Sequence, residues 1–252
     1  MAKTINKLDI MIKIFKDPEE LSIAGAELFV QIANEAIKER GVFTVALTGG
    51  SSPANLYKLL AHKPYSEQIN WHKVHIFWGD ERWVPLSDDK SNAKMAYETL
   101  LNYVPIPKEQ IYPMWTKDLQ PKEFAQEYEQ TLQQTLGSIP SFDLILLGMG
   151  EDGHTASLFP GTDVLQEKSK WVDAYYLDTQ EMYRITLTAP VINQARNIVI
   201  MAYGTNKANA LHEVLEGDQD ITKYPAQLIN PQNGMAFWFV DTAAASRLHH
   251  SK

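Results

Sequence analysis

A chain of 252 residues, 44% hydrophobic and 21% charged, has the composition of an ordinary folded protein with a substantial core. Its formal net charge of −8 excludes a general nucleic-acid or acidic-membrane binder, so an anionic small ligand would need a local cluster of Arg and Lys. Without cysteine it has no disulfide, no thiolate nucleophile and no Cys-ligated metal.

The opening "MAKTINKLDIMIKIF" breaks its apolar positions with Lys and Asp, which argues against a secretory leader. No apolar run approaches the ~18 residues of a membrane span, and we expect a cytosolic protein. "KLDIMIKIF" alternates like a first strand. A helix should follow to Gly41, with Asp17 as N-cap, Pro18 in the first turn, Glu20 completing a capping box, and Leu21, Leu28, Ile32 and Ala36 as its apolar stripe.

"VFTVALT" (42–48) reads as a strand buried on both faces, with a helix from about Pro53. "KVHIFW" (73–78) is the next strand, ahead of a helix around 92–102 and a polar helix at about 121–136. "FDLILLG" (142–148), "WVDAYYL", "YRITLT" and "NIVIMAY" are further strands; a helix after Thr205 and the strand "MAFWFV" (235–240) close the chain. Strand–helix alternation of this kind predicts an α/β fold, a mostly parallel sheet covered by helices on both faces. No repeat or long linker interrupts it, so residues 1–252 read as a single domain. The tail "RLHHSK" suggests no more than a disordered end.

Ligands of such sheets sit at the carboxyl ends of the strands, and three strand ends here carry chemistry. In "ALTGGSSP", Thr48 closes a strand, Gly49 and Gly50 allow tight turns, and Ser51 opens a helix. This is either an ordinary capped turn or an anion cradle of free N–H groups. No Gly-Lys-Ser/Thr follows, so it is no Walker loop. In "IFWGDERWVP" (76–85), Asp80, Glu81 and Arg82 crowd a strand end among aromatics, as a solvated loop or a site would.

The third end, "LILLGMGEDGHTASLFPG" (144–161), matches the dinucleotide spacing G-x-G-x-x-G through Gly148, Gly150 and Gly153. A dinucleotide site needs a long helix from the third glycine, and Pro160–Gly161 interrupts the chain before one could form. The alternative is that the glycines present Asp152 and His154 to a cleft, where an imidazole can take a proton from water and a carboxylate can orient it. Arg184, at the start of "RITLT", and Lys207, in "YGTNKANAL", are cations suited to phosphate, though either alone could be a surface charge. No His/Asp/Glu spacing suggests a tight metal site.

"ALTGGSSP", "FWGDERWVP", "LLGMGEDGHTASLFPG", "RITLTAPVIN", "YGTNKANAL" and "PAQLI" stand in the order and approximate spacing of 6-phosphogluconolactonases, and the chain resembles that family from about residue 14 to 245. The resemblance implies the α/β fold shared with glucosamine-6-phosphate deaminases and ribose-5-phosphate isomerases. It also implies hydrolysis of a phosphorylated sugar lactone, 6-phosphogluconolactone, in the pentose phosphate pathway, without a required cofactor; the spacing, charge and hydropathy above lead us to expect no metal and no nucleic-acid or membrane partner. The oligomeric state is open, monomer or weak dimer.

On that reading His154 is the general base and Asp152 its orienting carboxylate, while Arg82 or backbone N–H groups hold the oxyanion. The Thr48–Gly49–Gly50–Ser51 turn, Arg184 and Lys207 hold phosphate, and Asp80 is placed in the site by resemblance. The competing sugar-phosphate isomerases and deaminases resemble the chain at Asp80, Asp152, His154, Arg184 and Lys207. They carry a glutamate seven residues beyond the aspartate of the glycine turn, where this chain has Phe159. A sugar-phosphate sensor fused to a DNA-binding module is disfavoured, because only about ten residues precede the first strand and the net charge is acidic.

Overall fold

The structure, a computed structural model, describes residues 3–7 and 10–249. Leu8 and Asp9 of the expected first strand, and the tail from His250, lie outside the described residues. The backbone of β1 (Lys3–Lys7) runs antiparallel beside β2 (Ile10–Phe15). The helix α1 (Pro18–Arg40) starts where its cap predicts: Asp17 Oδ1 accepts from the backbone of Glu19 and Glu20, and Gly41 ends it in the left-handed region at φ 80°. Glu20 departs from the capping-box expectation, because its carboxylate takes the N–H of Lys16 rather than that of the cap residue.

The chain continues through β3 (Phe43–Leu47), α2 (Ser51–Leu60), β4 (Val74–Trp78) and β5 (Asp80–Arg82). Next come α3 (Asn92–Ala96), which runs on as a π-turn over Tyr97–Leu101, α4 (Pro121–Leu136) and β6 (Leu144–Gly148). Last are β7 (Val172–Leu177), β8 (Met182–Leu187), α5 (Ala189–Ile192), β9 (Asn197–Ala202), α6 (Ala208–Glu216) and β10 (Met235–Asp241).

Among the described residues the main sheet has seven strands in the order β1-β2-β10-β9-β6-β3-β4, all parallel from β2 onward. Every residue of β3 is buried, as a strand covered on both faces requires. Phe43 meets Phe29 of α1 edge-on at 5.2 Å, which sets α1 on that face. Phe77 pairs in register with Ala46, whose side chain points to the opposite face, and there it packs on Tyr112, Phe142 and Tyr128 of α4. Helix, sheet and helix therefore form three layers.

"WVDAYYL" and "YRITLT" do not join the parallel sheet. They pair with β5 in a separate antiparallel sheet of order β5-β8-β7. Only a short turn (Asp178–Glu181, with Glu181 at φ 51°) links β7 to β8, and so short a link closes a hairpin but cannot make a parallel crossover. No helix among the described residues is long and apolar enough to cross a membrane.

Candidate active site

From β3 the chain passes to β4 on one side and later to β6 on the other, so the strand order reverses between β3 and β6. Open parallel sheets bind ligands at such a reversal, outside the carboxyl ends. There the turns after β3, β4, β6 and β9 enclose a cleft of about 420 Å³. Its walls include Thr48, Gly49, Gly50, Asp80, Arg82, His154 and Lys207. Asp152 and Arg184 flank this cleft rather than lining it, and the Ser51 side chain lies outside the described ones.

The turn after β6 is built around its glycines. Gly150 donates to the carbonyl of His154 at 2.8 Å, and a Cβ on Gly150 would run into the His154 ring and the Asp152 carboxylate. Gly153 stands at φ 77°, a backbone region that favours glycine. The outcome is an ion-pair geometry: His154 Nδ1 lies 2.5 Å from Asp152 Oδ1, which also accepts the His154 backbone N–H at 3.1 Å.

Burial works to raise the Asp152 pKa, but the hydrogen bonds and charge from His154 outweigh it and hold the carboxyl below its ordinary value. With Nδ1 engaged, Nε2 is the ring nitrogen left for a ligand. The imidazole stacks on Phe159 at 4.1 Å between centroids, which fixes the ring plane.

Asp80 is buried and receives the Ser157 hydroxyl at 2.6 Å, while Asn92 donates to its backbone carbonyl at 2.9 Å. Glu81 turns the other way and holds the start of α3, accepting from the Asn92 and Ala93 N–H groups at 2.7 and 2.8 Å and from the Ser91 hydroxyl at 3.0 Å. Burial pushes its carboxyl above the ordinary range against those donors.

Arg82 and Arg184 face each other in the β5–β8 register, and each has a buried Nε without a partner among the described residues. Arg184 is 2% exposed, bonds Gln180 and sits 5.5 Å from the Phe159 ring, and burial lowers its pKa. On the other wall, α2 begins after Gly50 with no side-chain cap, and the Tyr57 hydroxyl anchors Thr48 through both its N–H and its carbonyl.

Several of these residues escaped the sequence reading. Ser157 and Asn92 grip Asp80, and Glu151 accepts from the Asn206 side chain at 2.6 Å, tying the β6 and β9 turns together at the rim. Ser91 had a local signal, as a serine opening a helical pattern. Ser157 had none, since its partner lies 77 positions away.

The chain matches the family described as glucosamine-6-phosphate isomerases/6-phosphogluconolactonase over residues 16–238. It is 43% identical over 218 residues to a 6-phosphogluconolactonase of Synechocystis sp., covering 85% of this chain and 88% of that one. It is 39% identical over 241 residues to a 6-phosphogluconolactonase of Nostoc sp., covering 94% and 98%. The solved 6-phosphogluconolactonase of Trypanosoma brucei superposes with a TM-score of 0.83 at 29% identity, over 94% of this chain and 98% of that one. This chain belongs to the glucosamine-6-phosphate isomerase/6-phosphogluconolactonase family.

Proposed function

We propose that this chain hydrolyses 6-phosphogluconolactone to 6-phosphogluconate, with His154 activating the water. The observation that carries the reading is the Asp152–His154 pair, closed to 2.5 Å at the wall of the cleft, in a chain whose near-full-length relatives bear the lactonase name. Asp152 accepts the Nδ1 proton and orients the ring, which leaves Nε2 to take a proton from water as its oxygen attacks the lactone carbonyl. Arg82 or backbone N–H groups stabilise the resulting oxyanion. Collapse breaks the bond to the ring oxygen, and His154 returns its proton to that oxygen, giving the open-chain acid.

The phosphate docks at the Thr48–Gly50 turn and the start of α2, where free N–H groups and the helix dipole favour an anion. Lys207 supplies a charge from the opposite wall. Arg184, beside Arg82 in the β5–β8 register, adds positive charge near the cleft without lining it. Asp80, clamped by Ser157 and Asn92, shapes the floor without meeting the reacting atoms.

Isomerisation and deamination, the family's other chemistry, move protons between adjacent carbons and call for a further acid. Phe159 supplies a hydrocarbon ring stacked on His154 instead. Assaying the purified chain on phosphorylated lactone, on an aldose–ketose phosphate pair and on glucosamine 6-phosphate tests this choice. We expect turnover of the lactone alone; isomerisation or ammonia release at comparable rates contradicts it.

A further inference from the structure

Away from the cleft, the last turn of α6 and the segment after Ala244–Arg247 bring His212, Glu216 and His249 together. One ligand atom of each lies within 4.8 Å of the others. His212 and Glu216 are four residues apart and share a helix face. His249 arrives from 33 residues further on, and its backbone N–H also donates to the Glu216 carboxylate at 3.0 Å.

Both imidazoles turn Nδ1 onto one oxygen: Glu216 Oε2 stands 2.7 Å from His249 and 3.2 Å from His212. The two rings lie edge to face with centroids 5.2 Å apart. Two N–H groups converging on one carboxylate oxygen leave three ligand atoms around a common point. If each neutral ring carries its proton on Nε2 instead, both Nδ1 lone pairs face that point beside a carboxylate. Tetrahedral zinc, with bonds of ~2.0 Å to nitrogen and oxygen, sets its ligands about 3.3 Å apart, against 2.7 and 3.2 Å from Glu216 Oε2 to the two Nδ1 atoms and no more than 4.8 Å across the set.

We propose that His212, Glu216 and His249 bind a divalent transition-metal ion of zinc's chemical class, which fastens the C-terminal segment to α6. Two imidazoles and one carboxylate suit zinc, cobalt or nickel rather than calcium or magnesium, which take oxygen ligands. Water fills the fourth position. Lys207 precedes the first residue of α6 and Glu216 is its last, so the ion sits roughly 13 Å along the helix from the cleft and takes no part in its chemistry. The site is structural and does not rest on the lactonase reading.

The test is titration of the full chain, first stripped with a chelator, with zinc chloride by calorimetry. Thermal unfolding with and without zinc, and the visible spectrum of the cobalt(II)-loaded chain, accompany it. We expect one equivalent bound, a rise in Tm and the intense bands of tetrahedral cobalt. His249→Ala removes a side chain that is 75% exposed, so the fold should survive. It and Glu216→Gln should each weaken zinc binding at least about tenfold, since even a partner one shell further out is worth that much. His249→Ala should also abolish the rise in Tm while leaving catalysis unchanged. Failure of the wild type to bind zinc at millimolar concentration overturns the proposal. So does unchanged affinity in both variants, including the case in which only His154→Ala abolishes binding and the ion lies in the cleft.

Discussion

His154 is held on two sides by its neighbours. One nitrogen is committed to Asp152, one face lies on Phe159, and the residue lines the cleft. Removing it should lower kcat by roughly 10²–10⁴-fold with a modest change in KM, the range of general base catalysis, read from initial rates of lactone hydrolysis. Asp152→Asn keeps the shape but removes the charge and should lower kcat about 10²-fold, again with KM little moved. Lys207→Ala belongs to binding. It should raise KM for the phosphorylated lactone roughly tenfold or more, the worth of a charged hydrogen bond, and leave unphosphorylated gluconolactone unaffected. An equal effect on both lactones would place Lys207 away from the phosphate.

At the scale of elements, the glycine turn after β6 is the part least tolerant of change. Gly150→Ala places a methyl against both members of the Asp152–His154 pair, so activity should fall by at least about tenfold while circular dichroism and Tm stay near wild type. By contrast, Asp17→Ala strips the cap of α1 and should cost about 1 kcal/mol in urea unfolding without touching kcat.

The loop into β7 makes a pH prediction. Backbone N–H groups of Ser169 and Lys170, with help from Lys168 and the Ser169 hydroxyl, hold the Glu167 pKa down to about 2. A depressed acid stabilises the fold above its ordinary value, and the contribution is lost as pH falls toward 2. Glu167→Gln should therefore flatten the fall in stability between about pH 4.5 and 2, measured as unfolding free energy against pH; an unchanged slope would contradict it.

α1 and α4 could be read from residues because caps and amphipathic spacing are local, and α4 begins and ends at the positions read from sequence. The small sheet could not, because a strand's pattern does not name its partner, and only the tight β7–β8 turn decides that the pair stands apart. The grip of Ser157 and Asn92 on Asp80 was invisible for the same reason, as was the meeting of His249 with Glu216 across 33 positions.

As a whole molecule, the fold gathers four separate turns at one end of one sheet. Residues as distant as Thr48 and Lys207 share a cleft because β9, β6, β3 and β4 are consecutive in the sheet though not in the chain. The net charge of −8 makes local cations at that cleft necessary for an anionic substrate, and Arg82, Arg184 and Lys207 are the ones the topology places in or beside it. A chelator should leave kcat intact, since no step of the proposed chemistry passes through a metal; lost turnover restored by zinc would contradict the mechanism. The most direct measurement is hydrolysis of freshly prepared 6-phosphoglucono-δ-lactone by wild type and His154→Ala, each read against the spontaneous rate. We expect strong acceleration by the wild type and its near-complete loss in the variant. Near-normal turnover without the imidazole, or no acceleration by the wild type, would contradict it.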